Sequence, residues 1–89
     1  MPKPVIIYTT KICGYCHAAK HLLDAENIDY ESIDVTRDTE KRIWLVETTG
    51  MRTVPQIFFG DESIGGYDQL KALKLNGTLH QKLADHTSD

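Results

Sequence analysis

Cys13 and Cys16 are the only cysteines of the 89-residue chain, and Gly14 and Tyr15 separate them. A disulfide between them closes a loop of almost no length, so it stabilises little by restricting the unfolded chain. A small protein stapled by disulfides would carry more cysteines, spread along its length. Bracing is therefore a poor explanation for the pair, and thiol–disulfide chemistry is the better one. Cys13-Gly14-Tyr15-Cys16 falls where an apolar strand gives way to a helical pattern. At a helix N-terminus the unpaired N–H groups and the dipole favour an anion, so a thiolate there is stabilised and its pKa falls. Cys13 comes first, at the open end, and Lys11 adds a cation two residues away. Cys13 is the expected nucleophile, and Cys16, one turn inside, the resolving thiol.

The same letters permit other chemistry. With His17 the stretch reads C-x-x-C-H, a haem-attachment pattern. That reading requires export and a sixth ligand; no secretory apolar segment precedes the motif, and the methionines are Met1 and Met51. A zinc site from Cys13, Cys16, His17 and His21 is conceivable, since 17 and 21 share a helix face, but a second ligand-bearing segment is missing. Two inert buried thiols are the third alternative. His17 and His21 read as solvated helix residues, and no metal ligand is assigned.

The elements around the pair follow from local patterns. Val5-Ile6-Ile7-Tyr8-Thr9 is β-branched and aromatic without alternation, as in a strand buried on both faces. From Cys16, Ala19, Leu22 and Leu23 mark the stripe of a helix ending near Asn27. Tyr30–Val35 reads as a second, partly exposed strand. Asp38, or Thr36 before it, can cap a helix running to about Thr48 and closed by Gly50. Its run Ile43-Trp44-Leu45-Val46 covers more arc than one core-facing stripe, so Ile43 or Trp44 should lie near the surface, tucked at a helix edge or serving a partner. Pro55–Phe59, a turn at Gly60-Asp61-Glu62 and Ser63-Ile64 form a hairpin. After Gly65-Gly66, Asp68 can cap a helix carrying Leu70, Leu73 and Leu75 on one side. Asn76-Gly77 stops it, and Thr78 starts a last helix with Leu79 and Leu83. The order β-α-β-α-β-β-α-α implies an α/β fold, a mixed four-stranded sheet with helices on both faces.

Length and composition set the bounds. Eighty-nine residues fit one domain, 1–89, with no room for a second core. A formal charge of −3 argues against nucleic acid, which demands a concentrated basic surface. The apolar run behind Met1-Pro2-Lys3-Pro4 is too short for a secretory or membrane segment, so a soluble, cytoplasmic monomer without a membrane partner is expected.

Three blocks together resemble the landmark motifs of glutaredoxins: Lys11-Ile12-Cys13-Gly14-Tyr15-Cys16-His17, Thr53-Val54-Pro55-Gln56-Ile57-Phe58-Phe59, and Ile64-Gly65-Gly66-Tyr67-Asp68-Gln69-Leu70. The resemblance covers about residues 4–84. It implies a thioredoxin-like fold in which Pro55 is cis and lies beside the cysteines. It also implies glutathione as co-substrate, with glutathionylated or disulfide-containing proteins as partners. On that resemblance Lys11, Cys13, Tyr15, Thr53, Val54, Pro55, Gly66, Tyr67 and Asp68 line the glutathione groove. The Val54 backbone would pair with the extended cysteine of glutathione. N–H groups at Gly66-Tyr67-Asp68 would take the γ-glutamyl carboxylate, and Asp68 its ammonium. Lys11, joined by Arg37, would face the glycine carboxylate. Gly14 departs from the proline usual between the cysteines, and Tyr67 stands where relatives often carry a third cysteine. Some relatives with glycine or serine at the first position hold a [2Fe–2S] cluster between two subunits, so cluster binding is the rival to thiol–disulfide reduction.

Overall fold

A computed structural model describes residues 3–84 of the chain. Its elements are β1 (Val5–Thr9), α1 (Gly14–Ala25), β2 (Glu31–Asp34), α2 (Thr39–Thr49), β3 (Gln56–Phe59), β4 (Glu62–Gly65), α3 (Tyr67–Leu75) and α4 (Leu79–Ala84). The strands form one sheet in the order β2-β1-β3-β4. β1 runs parallel to β2, which requires the α1 crossover, and antiparallel to β3; β3 and β4 form the antiparallel hairpin. The expected element order and mixed sheet are both present.

Because side chains alternate along a strand, the two central strands supply an apolar cluster to each face of the sheet. Val5, Ile7, Ile57 and Phe59 pack with Ala19, Leu22 and Leu23 of α1, Leu70 of α3, and Leu79 and Leu83 of α4. On the opposite face Tyr8 and Phe58 pack with Val35 and with Leu45 of α2. The motif at Cys13 thus sits at the end of a helix whose inner face is fixed on the larger cluster.

Several boundaries differ from the sequence expectation for identifiable reasons. α1 ends at Ala25, short of Asn27, whose φ of +59° is a left-handed conformation that Asn tolerates better than most residues. β2 is one residue shorter at each end than Tyr30–Val35, because Val35 turns into the smaller cluster. Asp38, not Thr36, caps α2: its Oδ1 accepts from Lys41 N at 3.0 Å, and α2 closes at Gly50 with φ +76°. Both Ile43 and Trp44 are exposed, at 52% and 40%, where one was expected. Leu45 alone occupies the inward direction, and each step along a helix rotates about 100° away from it. Trp44 still stacks on Phe58 (centroids 5.8 Å apart), with Lys41 Nζ 5.2 Å from its ring centre.

The third helix corrects two further expectations. Its N-cap is Gly66 and its first residue Tyr67, so Asp68 lies inside the first turn and does not cap it. Leu70 is buried and Leu73 half-buried, but Leu75 is 74% exposed, having rotated past the packed face. Leu79 and Leu83, four apart, seat α4 on the sheet. Glu62 of β4 holds α4 from outside: its Oε2 lies 2.8 Å from Lys82 Nζ and its Oε1 3.6 Å from Lys3 Nζ. The hydrogen bond from Lys82 and the two positive charges hold the Glu62 carboxyl below its ordinary value.

Gln56 opens β3 almost fully buried, at 1% exposure. Its Nε2 donates to Met51 O at 2.9 Å and its Oε1 accepts from Thr49 Oγ1 at 2.9 Å. Thr49 Oγ1 in turn accepts from Met51 N at 3.0 Å. The end of α2, the loop before Pro55 and the start of β3 are joined through this one amide. Gln56→Leu leaves the Met51 carbonyl without that partner, and an unsatisfied buried polar group costs about 1–3 kcal/mol. Urea unfolding of the reduced protein should show a loss of that size, and an unchanged midpoint would contradict the role assigned to Gln56.

Candidate active site

The chain leaves β1 at Thr9, and Lys11 N donates to Thr36 Oγ1 at 2.9 Å, fixing the approach to the motif. Cys13 is the N-cap of α1, in an extended conformation (φ −158°, ψ 101°), and its Sγ accepts from Cys16 N at 3.1 Å. Sulfur here takes the place that Ser or Asp fills at ordinary helix starts, satisfying one of the unpaired N–H groups. An N–H donor and the helix dipole both favour negative charge on Cys13 Sγ. Cys13 is partly exposed, whereas Cys16, on the inner face of α1, is 2% exposed. The two sulfurs are joined as a disulfide.

The loop before β3 meets the motif from the other side. The Val54–Pro55 peptide bond is cis, as the sequence resemblance implied. Cys13 Sγ lies 3.6 Å from Val54 O, within reach of donation from the thiol form. Gly66 abuts the same loop: a Cβ at this position would come within 3.3 Å of Pro55 O. Gly66 N donates to Gln69 Oε1 at 2.9 Å, so Gln69 fixes the N-cap. The following N–H groups of the first turn of α3 have no intrahelical acceptor. Tyr15, 65% exposed, faces Tyr67 with ring centroids 5.9 Å apart and planes inclined 32°. Offset aromatic contact of this kind holds the two rings as one wall.

The structure therefore brings Cys13 to Val54, Gly66 to Pro55, and Tyr15 to Tyr67. Thr53 is exposed next to Val54, and Asp68 is exposed on the first turn of α3. Lys11 and Arg37 line one shallow depression with Asp34 and Thr36. Hydrogen bonds from Thr36 hold the Asp34 carboxyl below its ordinary value, with Lys11 and Lys20 contributing less. With Asp38 and Glu40 also on its lining, the depression holds three carboxylates beside its two cations. Sequence reasoning gave no role to Gln56, Gln69 or Thr36 in shaping the site. A Gln inside an apolar strand was the available signal for the first; the other two act through contacts that only the fold creates.

What the arrangement can do is bounded by these contacts. A sulfur at a helix end, a second thiol on the next turn and an open backbone edge beside them are the parts required for disulfide exchange. The family model for glutaredoxin matches residues 5–64. The chain is 42% identical over 81 residues to a glutaredoxin of Pseudomonas aeruginosa, spanning 91% of this chain and 96% of that one. It is 40% identical over 75 residues to glutaredoxin 3 of Escherichia coli K12, spanning 84% and 90%. Among solved structures, a Brucella melitensis glutaredoxin superposes with a TM-score of 0.85 at 38% identity, covering 99% of this chain and 96% of that one. A buckwheat glutaredoxin solved in complex with glutathione gives 0.85 at 30% identity, covering 93% and 78%. The paired thiols at a helix start, the backbone edge at Val54 and these relatives together place the chain in the glutaredoxin family of thiol–disulfide oxidoreductases.

Proposed function

We propose that the protein reduces glutathione mixed disulfides and protein disulfides with glutathione as electron donor. The observation that carries this reading is the approach of Cys13 Sγ to Val54 O, which sets the nucleophile beside the backbone edge of the segment leading into β3. A cysteine in extended conformation can add to that edge as a short strand, with its sulfur delivered to Cys13. The Cys13 thiolate attacks the glutathione sulfur of a mixed disulfide; the Cys13–glutathione bond forms and the partner leaves as thiolate. A second glutathione thiolate then attacks the glutathione sulfur on Cys13, restoring the Cys13 thiolate and releasing glutathione disulfide. With a protein disulfide, Cys13 forms the mixed disulfide and Cys16 attacks Cys13, giving the closed pair seen here. Two glutathione molecules reopen it.

In this groove Thr53, Val54 and Pro55 supply the floor, and Tyr15 and Tyr67 the wall. The free N–H groups following Gly66 take the γ-glutamyl carboxylate, and Asp68 takes its ammonium. Lys11 and Arg37 stand at the glycine end. Cluster binding between two copies is the second reading. Among the described residues no group of three or more His, Cys, Asp and Glu side chains is placed to hold a metal ion. Cys13 would be this chain's ligand, and the others would have to come from external thiols and a second copy.

The test is turnover of a small glutathione mixed disulfide, followed as NADPH consumption with glutathione and glutathione reductase. Turnover that saturates with glutathionyl substrate is expected, and its absence would overturn the reading. Asp68→Ala should lower kcat/KM for that substrate about fivefold, the worth of one exposed charge-assisted contact of about 1 kcal/mol, with little change in kcat. An unchanged kcat/KM would remove Asp68 from the groove.

A further inference from the structure

Thr36, in the turn between β2 and α2, is where separate segments of the chain meet. Its Oγ1 accepts from Lys11 N at 2.9 Å, across 25 residues of sequence. Its own N donates to Asp34 Oδ1 at 2.8 Å, and its carbonyl oxygen accepts from Arg42 Nη1 at 3.2 Å. The residue before it, Val35, is fully buried, and Val35 N donates to Thr9 O at 2.8 Å. Thr36 is thus a fixed point, anchored to the sheet one residue away and with each of its polar groups engaged. The segment it holds has little else to hold it. Lys11 and Ile12 are exposed, and among the described residues the other hydrogen bond of segment 10–12 is internal, from Thr10 Oγ1 to Ile12 O at 3.5 Å. The depression that Lys11 shares with Arg37 also carries three carboxylates, so its net charge repels an anion. Attraction there depends on one cation being held at contact distance, where its field outweighs that of charges farther off. One of the three carboxylates, Asp34, already has an oxygen engaged by Thr36 N.

We propose that Thr36 is a positioning residue for the glycine end of glutathione, and through it a determinant of preference for glutathione over shorter thiols. Its hydroxyl oxygen sets the Lys11 backbone, and with it the reach of the Lys11 ammonium toward the glycine carboxylate. Its N–H occupies the Asp34 carboxylate, which would otherwise compete for that ammonium. The inference rests on the glutathione reading above, which stands Lys11 at the glycine end, and adds what holds Lys11 there. A carboxylate gripped equally before and during disulfide exchange contributes uniform binding, so a loosened grip raises KM and spares kcat.

The test compares two small mixed disulfides of the same thiol, one with glutathione and one with γ-glutamylcysteine, which lacks the glycine carboxylate. The full chain is assayed as wild type, Thr36→Val and Thr36→Ser. In the wild type kcat/KM should favour the glutathionyl substrate about tenfold. Thr36→Val keeps the shape but removes the acceptor for Lys11 N, and should cut that preference about fivefold, through KM. Thr36→Ser restores the hydroxyl oxygen and should stay within about twofold of the wild-type preference. Because both substrates meet the same preparation, the ratio does not move with the amount of folded enzyme. A wild-type preference in Thr36→Val, its loss in Thr36→Ser, or an equal fall for both substrates in Thr36→Val would overturn the proposal alone. A wild type that does not turn over the glutathionyl substrate, or does not prefer it, would overturn the glutathione reading and this proposal with it.

Discussion

Cys13→Ser should abolish reduction of every disulfide substrate, while Cys16→Ser should spare one class of substrate. The contrast follows from where the sulfurs sit. Cys13 is partly exposed at the N-cap of α1 and accepts the Cys16 N–H; Cys16 is 2% exposed. A serine hydroxyl at position 13 can accept the same hydrogen bond but is not an exchange nucleophile at neutral pH. The Cys16 thiol has neither the exposure nor the helix-end stabilisation to replace it. In Cys16→Ser the first attack and the release by a second glutathione both remain, because they involve Cys13 alone. Turnover of glutathione mixed disulfides should therefore persist, and can rise, since closure of the Cys13–Cys16 disulfide no longer diverts the enzyme. Reduction of protein disulfides that require both thiols should fall sharply. Assaying both substrate classes with both variants decides the matter: loss of deglutathionylation in Cys16→Ser, or its survival in Cys13→Ser, contradicts the division of roles.

Phe59→Ala should be the most damaging change outside the site. Phe59 is 1% exposed, pairs with Val5 across the central strands, and packs in the cluster that seats α1, α3 and α4. Removing a buried aromatic side chain costs about 3–5 kcal/mol, the transfer loss plus the cavity left behind. Small domains hold a total of about 5–15 kcal/mol, so most of the stability of a chain this size is at risk. At about 4–8 °C per kcal/mol, the thermal midpoint should drop by more than about 12 °C. Circular dichroism melts of the reduced wild type and variant measure this directly. A drop of only a few degrees would show that the cluster is less tightly packed than its burial indicates.

What the sequence made legible was local. Gly50 with its left-handed φ, Asp38 as a cap, the turn expected at Gly60-Asp61-Glu62 (from which β4 takes Glu62) and the Cys13 helix start are each specified by a few neighbouring residues. The element order followed from these signals, and the mixed sheet followed from the order. Features that required two distant segments to meet were not legible. Thr36 reads as a possible cap, yet it is consumed by Lys11 N, 25 residues earlier. Asp68 reads as a cap as well. In the fold Gly66 takes that place, packed closely against Pro55 O and with Gln69 Oε1 accepting its N–H. Ile43 and Trp44 show the same limit. Helical periodicity cannot say how much of two adjacent apolar residues a neighbouring strand will cover, and here both stay exposed, Trp44 resting one face on Phe58.

The assignment of the glutathionyl group to Cys13 can be tested at each cysteine alone. Cys16→Ser and Cys13→Ser each keep one thiol. Exposed to glutathione disulfide at neutral pH, that thiol gains one glutathionyl group and releases one glutathione thiolate. Intact-mass spectrometry over time gives the rate of adduct formation for each variant. The lone Cys13 should be modified at least about 100-fold faster than the lone Cys16, because one is a stabilised, accessible thiolate and the other a buried thiol. Equal rates, or faster modification at Cys16, would contradict the account.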